Sequence, residues 1–155
     1  MKKVIILLFI PLISFGQTWK VETKNDAFIG KSSVAYGIGS GGDFPYKNPV
    51  ICFRKSQESG KEAFIMRVGG LGCDNPTITF AFNGEYNDKL KFNLNPSDDN
   101  DYGFFDTGNY KFYTLVKKLK SSNYAEVLVE SDCSDNRFTI KLDGSTKAIN
   151  KVWEN

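Results

Sequence analysis

The chain has 155 residues, of which 41% are hydrophobic, 14% aromatic and 25% charged. This composition is typical of one globular domain and excludes a disordered tail or a coiled coil. The sequence contains no histidine, which excludes Ser-His-Asp and Cys-His nucleophilic catalysis, histidine general bases and histidine metal ligands. Lysine and arginine number 20 against 18 acidic residues, and so balanced a chain has no electrostatic basis for binding nucleic acid.

The first 16 residues have the pattern of a secretory signal peptide. Met1-Lys2-Lys3 is positively charged, an apolar run follows from Val4 to Ile13, and Ser14-Phe15-Gly16 supplies small residues before the expected cleavage. The apolar run is too short to span a membrane. We therefore predict a signal peptide over 1–16 and a single mature domain over 17–155. The mature domain is secreted or periplasmic, has no membrane span and carries no net charge.

Short segments in which apolar and polar residues alternate predict a chain made mostly of strands. The segments 77–82 and 89–94 flank a turn-forming linker and predict a β-hairpin, and 124–130 and 137–142 predict a second one. Ala63 to Val68 is almost continuously apolar, which is typical of a strand buried on both faces. Further strands are predicted over 18–24, 32–38 and 49–54.

One segment has a helical period instead. Phe112, Leu115, Val116 and Leu119 recur at i, i+3, i+4 and i+7, which predicts an amphipathic helix with Asn109 as its N-cap. A short C-terminal helix is predicted to begin with Ser145 as its cap. Together the elements predict a mainly β fold: an antiparallel β-sandwich-like domain, one internal amphipathic helix packed over an open end, and a short C-terminal helix.

The glycine and acidic clusters predict loops rather than cofactor or metal sites. Gly37 to Gly42 and Gly69 to Gly72 are not followed by the helix and the G-K-[ST] motif that a phosphate loop requires, so we expect both to be flexible loops. Asp98 to Gly103 resembles the start of a calcium loop. It has Tyr102 where that loop needs an oxygen ligand and Asn109 where it needs glutamate. No cofactor is expected.

The segment from Asp98 to Tyr110 is the candidate partner-binding loop, because it combines acidic and aromatic side chains near turns. Such a loop suits a basic protein surface or sugar rings. Alternatively, Phe104 and Phe105 begin a strand and one of them points inward. The candidate partner-binding residues are Asp98, Asp99, Asp101, Tyr102, Phe104, Phe105 and Tyr110.

Three cysteines allow one disulfide in an exported domain. Cys73 and Cys133 each lie in a polar turn beside the end of a predicted strand, where two Cα atoms can approach to bridging distance. Cys52 lies among apolar strand residues and is expected to be a buried free thiol. A Cys73–Cys133 bridge is therefore preferred over Cys52–Cys73.

The order of several short motifs resembles a known family. The motifs are Trp19-Lys20-Val21-Glu22, Pro49 to Arg54, the helix 112–119 followed by Glu126 to Val129, and Phe138-Thr139-Ile140 leading to Ala148-Ile149. In this order they resemble small periplasmic proteins associated with type VI secretion, of the VasI/TagO kind. The resemblance implies an exported β-rich accessory or binding protein. The further C-terminal cysteine of that family is missing around Lys151-Val152-Trp153.

Three functions are compatible with these features. The preferred one is an exported, non-enzymatic binding or accessory module of the cell envelope that engages a protein partner, with a glycan as another possible ligand. The second is a secreted hydrolase that uses two carboxylates on a cell-wall or polysaccharide glycan. The third is a periplasmic inhibitor or immunity protein. Enzymatic activity is left open, since no catalytic motif is present and no carboxylate pair stands out.

Overall fold

The computed structural model describes residues 18–27, 30–43 and 45–154. The predicted signal peptide and its cleavage point lie outside these residues. The described chain is mainly β, as predicted from the alternating segments, and its strands pair in antiparallel fashion. The strands are β1 (Trp19–Asp26), β2 (Gly30–Gly41), β3 (Val50–Ser56), β4 (Gly60–Met66), β5 (Thr77–Phe82), β6 (Lys89–Asn93), β7 (Asn95–Pro96), β8 (Tyr102–Phe104), β9 (Tyr124–Ser131) and β10 (Ser134–Lys141).

A single long strand, β2, joins two halves of one sheet whose order is β6-β5-β9-β10-β2-β3-β4-β8-β7. One edge of β2 pairs with β3, while the other pairs first with β1 over residues 30–37 and then with β10 over residues 39–41. We call β1, β2, β3, β4, β8 and β7 the β3 half, and β6, β5, β9 and β10 the β9 half. Both predicted hairpins, β5–β6 and β9–β10, are confirmed.

The first glycine cluster is not a flexible loop, which corrects the expectation from the sequence. Residues 37 to 41 belong to β2, and two of these glycines lie where other side chains need the space. A Cβ atom on Gly37 would stand 2.6 Å from the Trp19 ring, and one on Gly39 would stand 2.7 Å from the Phe138 ring. These glycines therefore let bulky rings pack directly against the strand that joins the two halves.

The inner faces of both halves share one hydrophobic core, which makes the fold β-sandwich-like. Phe53 from the β3 half and Phe80 from the β9 half are both fully buried in it. Helix α1 (Tyr110–Ser121) packs onto this core through its apolar stripe, and its Phe112 ring lies 6.1 Å from Phe53 and 5.7 Å from Trp153. The helix thereby joins strands from the middle of the chain to the C-terminal segment.

The two helices differ in how they begin. Asn109 caps α1 as predicted, since its side-chain oxygen accepts a hydrogen bond from the Lys111 N–H. At α2 (Ser145–Ile149) the cap is Gly144 in the left-handed conformation, and Ser145 instead donates its hydroxyl to the Leu119 carbonyl at 2.6 Å. The capping prediction for Ser145 was therefore wrong; its hydroxyl ties α2 to the end of α1. A π-helical segment follows over Asn150–Glu154.

The cysteines pair as preferred from the sequence. Cys73 and Cys133 form a disulfide with their Cα atoms 6.1 Å apart, and Cys52 is a free, buried thiol. The bridge fastens the loop after β4 to the turn between β9 and β10. In the part of the chain that the structure describes, no helix has the length and apolar character needed to cross a membrane.

Candidate functional site

The outward face of the β3 half is apolar, which is unusual for the outside of a sheet. Residues alternate between the two faces of a strand, so β3 directs Ile51 and Phe53 into the core and Val50 and Cys52 outward. The neighbouring strands do the same. In this way a second apolar cluster forms on the side of the sheet away from the core.

Strand register arranges this cluster in two rows. Ile38, Val50, Met66 and Tyr102 are aligned across four strands, and the next row aligns Tyr36, Cys52, Phe64 and Phe104. The apolar residues that cluster here, within the described ranges, all belong to β2, β3, β4 or β8, and Val50, Cys52 and Phe64 at the centre are buried among them. We call this surface the apolar outer face: Val34, Tyr36, Ile38, Val50, Cys52, Phe64, Met66, Tyr102 and Phe104.

Aromatic contacts hold the centre of the apolar outer face in place. The Phe64 ring meets Tyr102 edge to face at 5.4 Å between centroids and lies 5.5 Å from Phe104. The Arg54 guanidinium lies 5.3 Å from the Phe64 ring centroid and forms an ion pair with Glu62. Ring pairs and cation–π contacts of this kind restrict side-chain rotation, so the face is preorganised for contact.

A polar rim borders the apolar rows on the β1 side. The Tyr36 hydroxyl donates a hydrogen bond to the Glu22 carboxylate at 2.7 Å, and this bond, with burial, raises the pKa of Tyr36. The phenol therefore stays protonated and keeps donating. At the other end of the strands, the Ser59 hydroxyl donates to Glu62 at 2.8 Å. An apolar centre with a satisfied polar rim is typical of protein–protein interfaces.

The outward face of the β9 half provides an internal comparison, because it belongs to the same sheet. Only three of its outward residues, Ala81, Tyr124 and Leu128, are aliphatic or aromatic. Lys91 and Glu130 form an exposed ion pair there at 3.5 Å. The remaining outward residues are polar: Thr77, Thr79, Lys89, Asn93, Glu126, Arg137, Thr139 and Lys141.

A cleft of about 990 Å³ adjoins the apolar outer face and shares Met66 and Tyr102 with it. Lys47 and Arg67 contribute positive charge to the lining, and Asp99 and Asp101 contribute negative charge. The Asp99 carboxylate accepts hydrogen bonds from the Ser97 hydroxyl at 2.6 Å and from the Asp101 N–H at 3.2 Å. These bonds lower the pKa of Asp99, so it remains ionised at neutral pH and is unsuited to act as a general acid.

A buried asparagine and the disulfide fix the walls of the cleft. Asn136, only 4% exposed, donates its amide to the Val68 carbonyl at 2.9 Å and accepts from the Asp43 N–H at 3.1 Å. The Cys73–Cys133 disulfide lies in the lining itself. A Cβ on Gly70 would stand 2.4 Å from the Ser134 hydroxyl oxygen, so only glycine fits the floor.

Arg67 occupies this cleft in a strained conformation. Its φ is +61°, whereas the other non-glycine residues with positive φ are all asparagines, which tolerate that region far better. Its side chain is exposed and forms no ion pair or hydrogen bond within the described residues. Backbone strain at a surface cleft is a feature that occurs at binding sites.

The predicted partner-binding residues divide among three environments. Tyr102 and Phe104 lie on the apolar outer face, and Asp99 and Asp101 line the cleft. Phe105 is 5% exposed and packs against Phe92 in the core, which matches the alternative that one of the two phenylalanines points inward. The other two, Asp98 and Tyr110, are exposed and line neither surface.

The remaining residues of the apolar outer face were not predicted as a site. For β4, the signal was the almost continuous apolar run from Ala63 to Val68, which was interpreted as a strand buried on both faces. Among the described residues, no three Asp, Glu or Cys side chains converge to form a metal site. The chain matches no protein-family model, and no curated protein or solved structure shows significant similarity to it.

Proposed function

We propose that this protein is an exported, non-enzymatic binding module of the cell envelope that engages a protein partner through the apolar outer face and the adjoining cleft. One observation carries the proposal: within a single sheet, the outward face is aromatic and aliphatic on the β3 half and polar on the β9 half. The hydrophobic core requires neither an apolar nor a polar outward face, because outward side chains do not contribute to the core. A contact surface accounts for the difference.

The composition of the face favours a protein rather than a glycan as partner. Interface centres are enriched in Tyr, Phe, Met and Arg and depleted of Lys and Asp, and the partly exposed residues of this face include Tyr36, Met66, Tyr102 and Phe104. Four strands at about 4.8 Å spacing make it only about 15 Å wide. A standard interface buries roughly 800 Å² per partner, so the partner must also reach the cleft.

Export and the envelope location are supported by the leader-like sequence and by the disulfide, since disulfides persist in oxidising compartments. The same location agrees with the implied accessory role of proteins associated with type VI secretion. That family relationship stays a prediction.

The experiment compares matched substitutions on the two outward faces. A photo-crosslinking amino acid at position 38, where Ile38 is 41% exposed, should capture one stoichiometric partner from envelope extract, and the same group at Thr139 should not. Tyr102→Ala should weaken binding of that partner by more than about 1 kcal/mol, while Thr139→Ala should leave it unchanged. Circular dichroism should show that both variants are folded.

Three results would overturn the proposal. Equal crosslinking from positions 38 and 139 would show that the apolar outer face has no special role. A homodimer in solution that Ile38→Glu dissociates would replace the partner with a second copy of the chain. Turnover of peptidoglycan or polysaccharide that is lost on Asp99→Asn or Asp101→Asn would favour the hydrolase.

A further inference from the structure

A second surface, separate from the apolar outer face, lies along the open edge of β1. This strand is eight residues long, and among the described strands it pairs only with β2. The other two edges of the sheet are short: β6 has five residues, and β7 has two, one of them Pro96. Short strands, prolines and charged side chains protect a sheet edge against added strands, and β1 has only the charged side chains.

Backbone alternation identifies which groups of β1 are unpaired. The Gly39 N–H donates to the Pro49 carbonyl, and the Gln57 N–H donates to the Lys31 carbonyl. Odd-numbered residues of β2 therefore bond toward β3, and even-numbered ones toward β1.

Tyr36 and Val34 of β2 are aligned with Lys20 and Glu22 of β1. By the same alternation, Val21 and Thr23 direct their N–H and C=O groups toward the open edge. No hydrogen bond to these groups occurs among the described residues.

The start of this edge forms one wall of a groove of about 520 Å³, and the C-terminal helices form the other. The Thr18 hydroxyl and the Trp19 indole N–H both donate to the Lys141 carbonyl at 3.0 Å. These two bonds fix β1 against the end of β10 and keep the groove open. Val21 and Ala148 supply apolar surface on its two walls.

The charge of the groove selects among possible occupants. Lys20, Lys147 and Lys151 line it and form no ion pair within the described part of the chain, against a single carboxylate, Glu22. This excess of positive charge opposes a basic strand. It also opposes a second copy of β1 in the antiparallel register that aligns Glu22 with Glu22, which would place Lys20 of each chain opposite Lys24 of the other.

We infer that the groove binds an extended acidic polypeptide segment, which adds to the sheet as a strand beside β1. Main-chain hydrogen bonds to Val21 and Thr23 supply the affinity, as in other cases of strand addition. The lysines select for carboxylates, which Lys147 and Lys151 meet from the helical wall. The inference does not depend on the partner proposed for the apolar outer face, because the groove lies along the edge of β1 and not on that face.

The probe is the blocked heptapeptide Ac-TEVEVET-NH2, with Ac-TKVKVKT-NH2 as its charge-reversed control. Amide hydrogen exchange is followed by NMR at peptide concentrations up to about 2 mM, enough to populate even a millimolar complex. The acidic peptide should slow exchange at Val21 and Thr23 at least threefold, because 2 mM peptide occupies about two thirds of a site with a Kd of 1 mM. Lys20 and Glu22 should be protected with and without peptide, because their amides already bond to β2.

Charge-reversal variants test the recognition by lysine. The double variant Lys147→Glu/Lys151→Glu should bind the acidic peptide at least tenfold more weakly, while Lys117→Glu, on the exposed side of α1, should bind it normally. Ile38→Glu should also bind it normally, which separates this site from the apolar outer face. Equal binding of both peptides, or unchanged exchange at Val21 and Thr23 with peptide in excess, would overturn the inference.

Discussion

The disulfide should contribute a large share of the stability of this domain. Cys73 and Cys133 are separated by 60 positions, so the bridge closes a loop of about 60 residues that contains β5 to β8, α1 and β9. In the chain-entropy model, closing a loop of that length lowers the conformational entropy of the unfolded state, which raises its free energy by about 4 kcal/mol. The double variant Cys73→Ser/Cys133→Ser should therefore lose about 4 kcal/mol of unfolding free energy.

Urea unfolding followed by tryptophan fluorescence provides the assay, since Trp19 and Trp153 are both buried in the core. Reductant should destabilise the wild-type protein by the same amount and leave the double variant unchanged. Cys52→Ala should still respond to reductant like the wild type, because this thiol is unpaired. A loss below about 1 kcal/mol in the double variant would refute the loop-closure reasoning.

Two further predictions concern Arg67 and Cys52. Arg67→Gly should raise the unfolding free energy by about 1 kcal/mol in urea denaturation, because glycine tolerates the positive φ; a loss would mean that the arginine side chain makes stabilising contacts. Burial raises the pKa of Cys52 from 9.0 to about 12. The unfolded chain therefore releases the thiol proton at a lower pH than the folded chain. Stability should fall between pH 9 and 12 by up to about 4 kcal/mol. The difference in unfolding free energy between wild type and Cys52→Ala should shrink over that range. A difference that does not change with pH would contradict the raised pKa of Cys52.

Local patterns in the sequence predicted most of the elements. The alternation in 77–82 and 89–94 identified β5 and β6. The helical spacing of the apolar residues between Phe112 and Leu119, with Asn109 before them, identified α1 and its cap. The disulfide could be predicted because both cysteines lie in polar turns next to strand ends. Each of these features depends on neighbours within a few residues, which the sequence displays directly.

Features that depend on distant strands could not be predicted in the same way. The residues from Gly37 to Gly41 resemble a loop until the Trp19 and Phe138 rings that require the glycines are known. Ser145 resembles an N-cap, but its hydroxyl bonds to a carbonyl 26 positions earlier. Tertiary contacts decided both cases against the local preference.

The candidate site was predicted in part for the same reason. The loop after Asp98 drew attention to Tyr102 and the acidic residues, since aromatic and charged side chains meet there within a short segment. Tyr36 comes from β2, and Phe64 and Met66 come from β4. Only the register of β2, β3, β4 and β8 brings them beside Tyr102. A surface assembled from several strands has no contiguous sequence signature.

The energetics of the apolar outer face are the strongest reason to expect a partner there. Moving an exposed apolar group out of water contributes roughly 25 cal/mol per Å², and in the isolated chain that contribution is lost at Ile38 and at the exposed parts of Tyr102 and Phe104. Threonine and lysine at the equivalent outward positions of β5 and β6 show that this sheet forms with polar residues facing water. The fold therefore does not explain the apolar rows, and a surface that becomes buried on binding does.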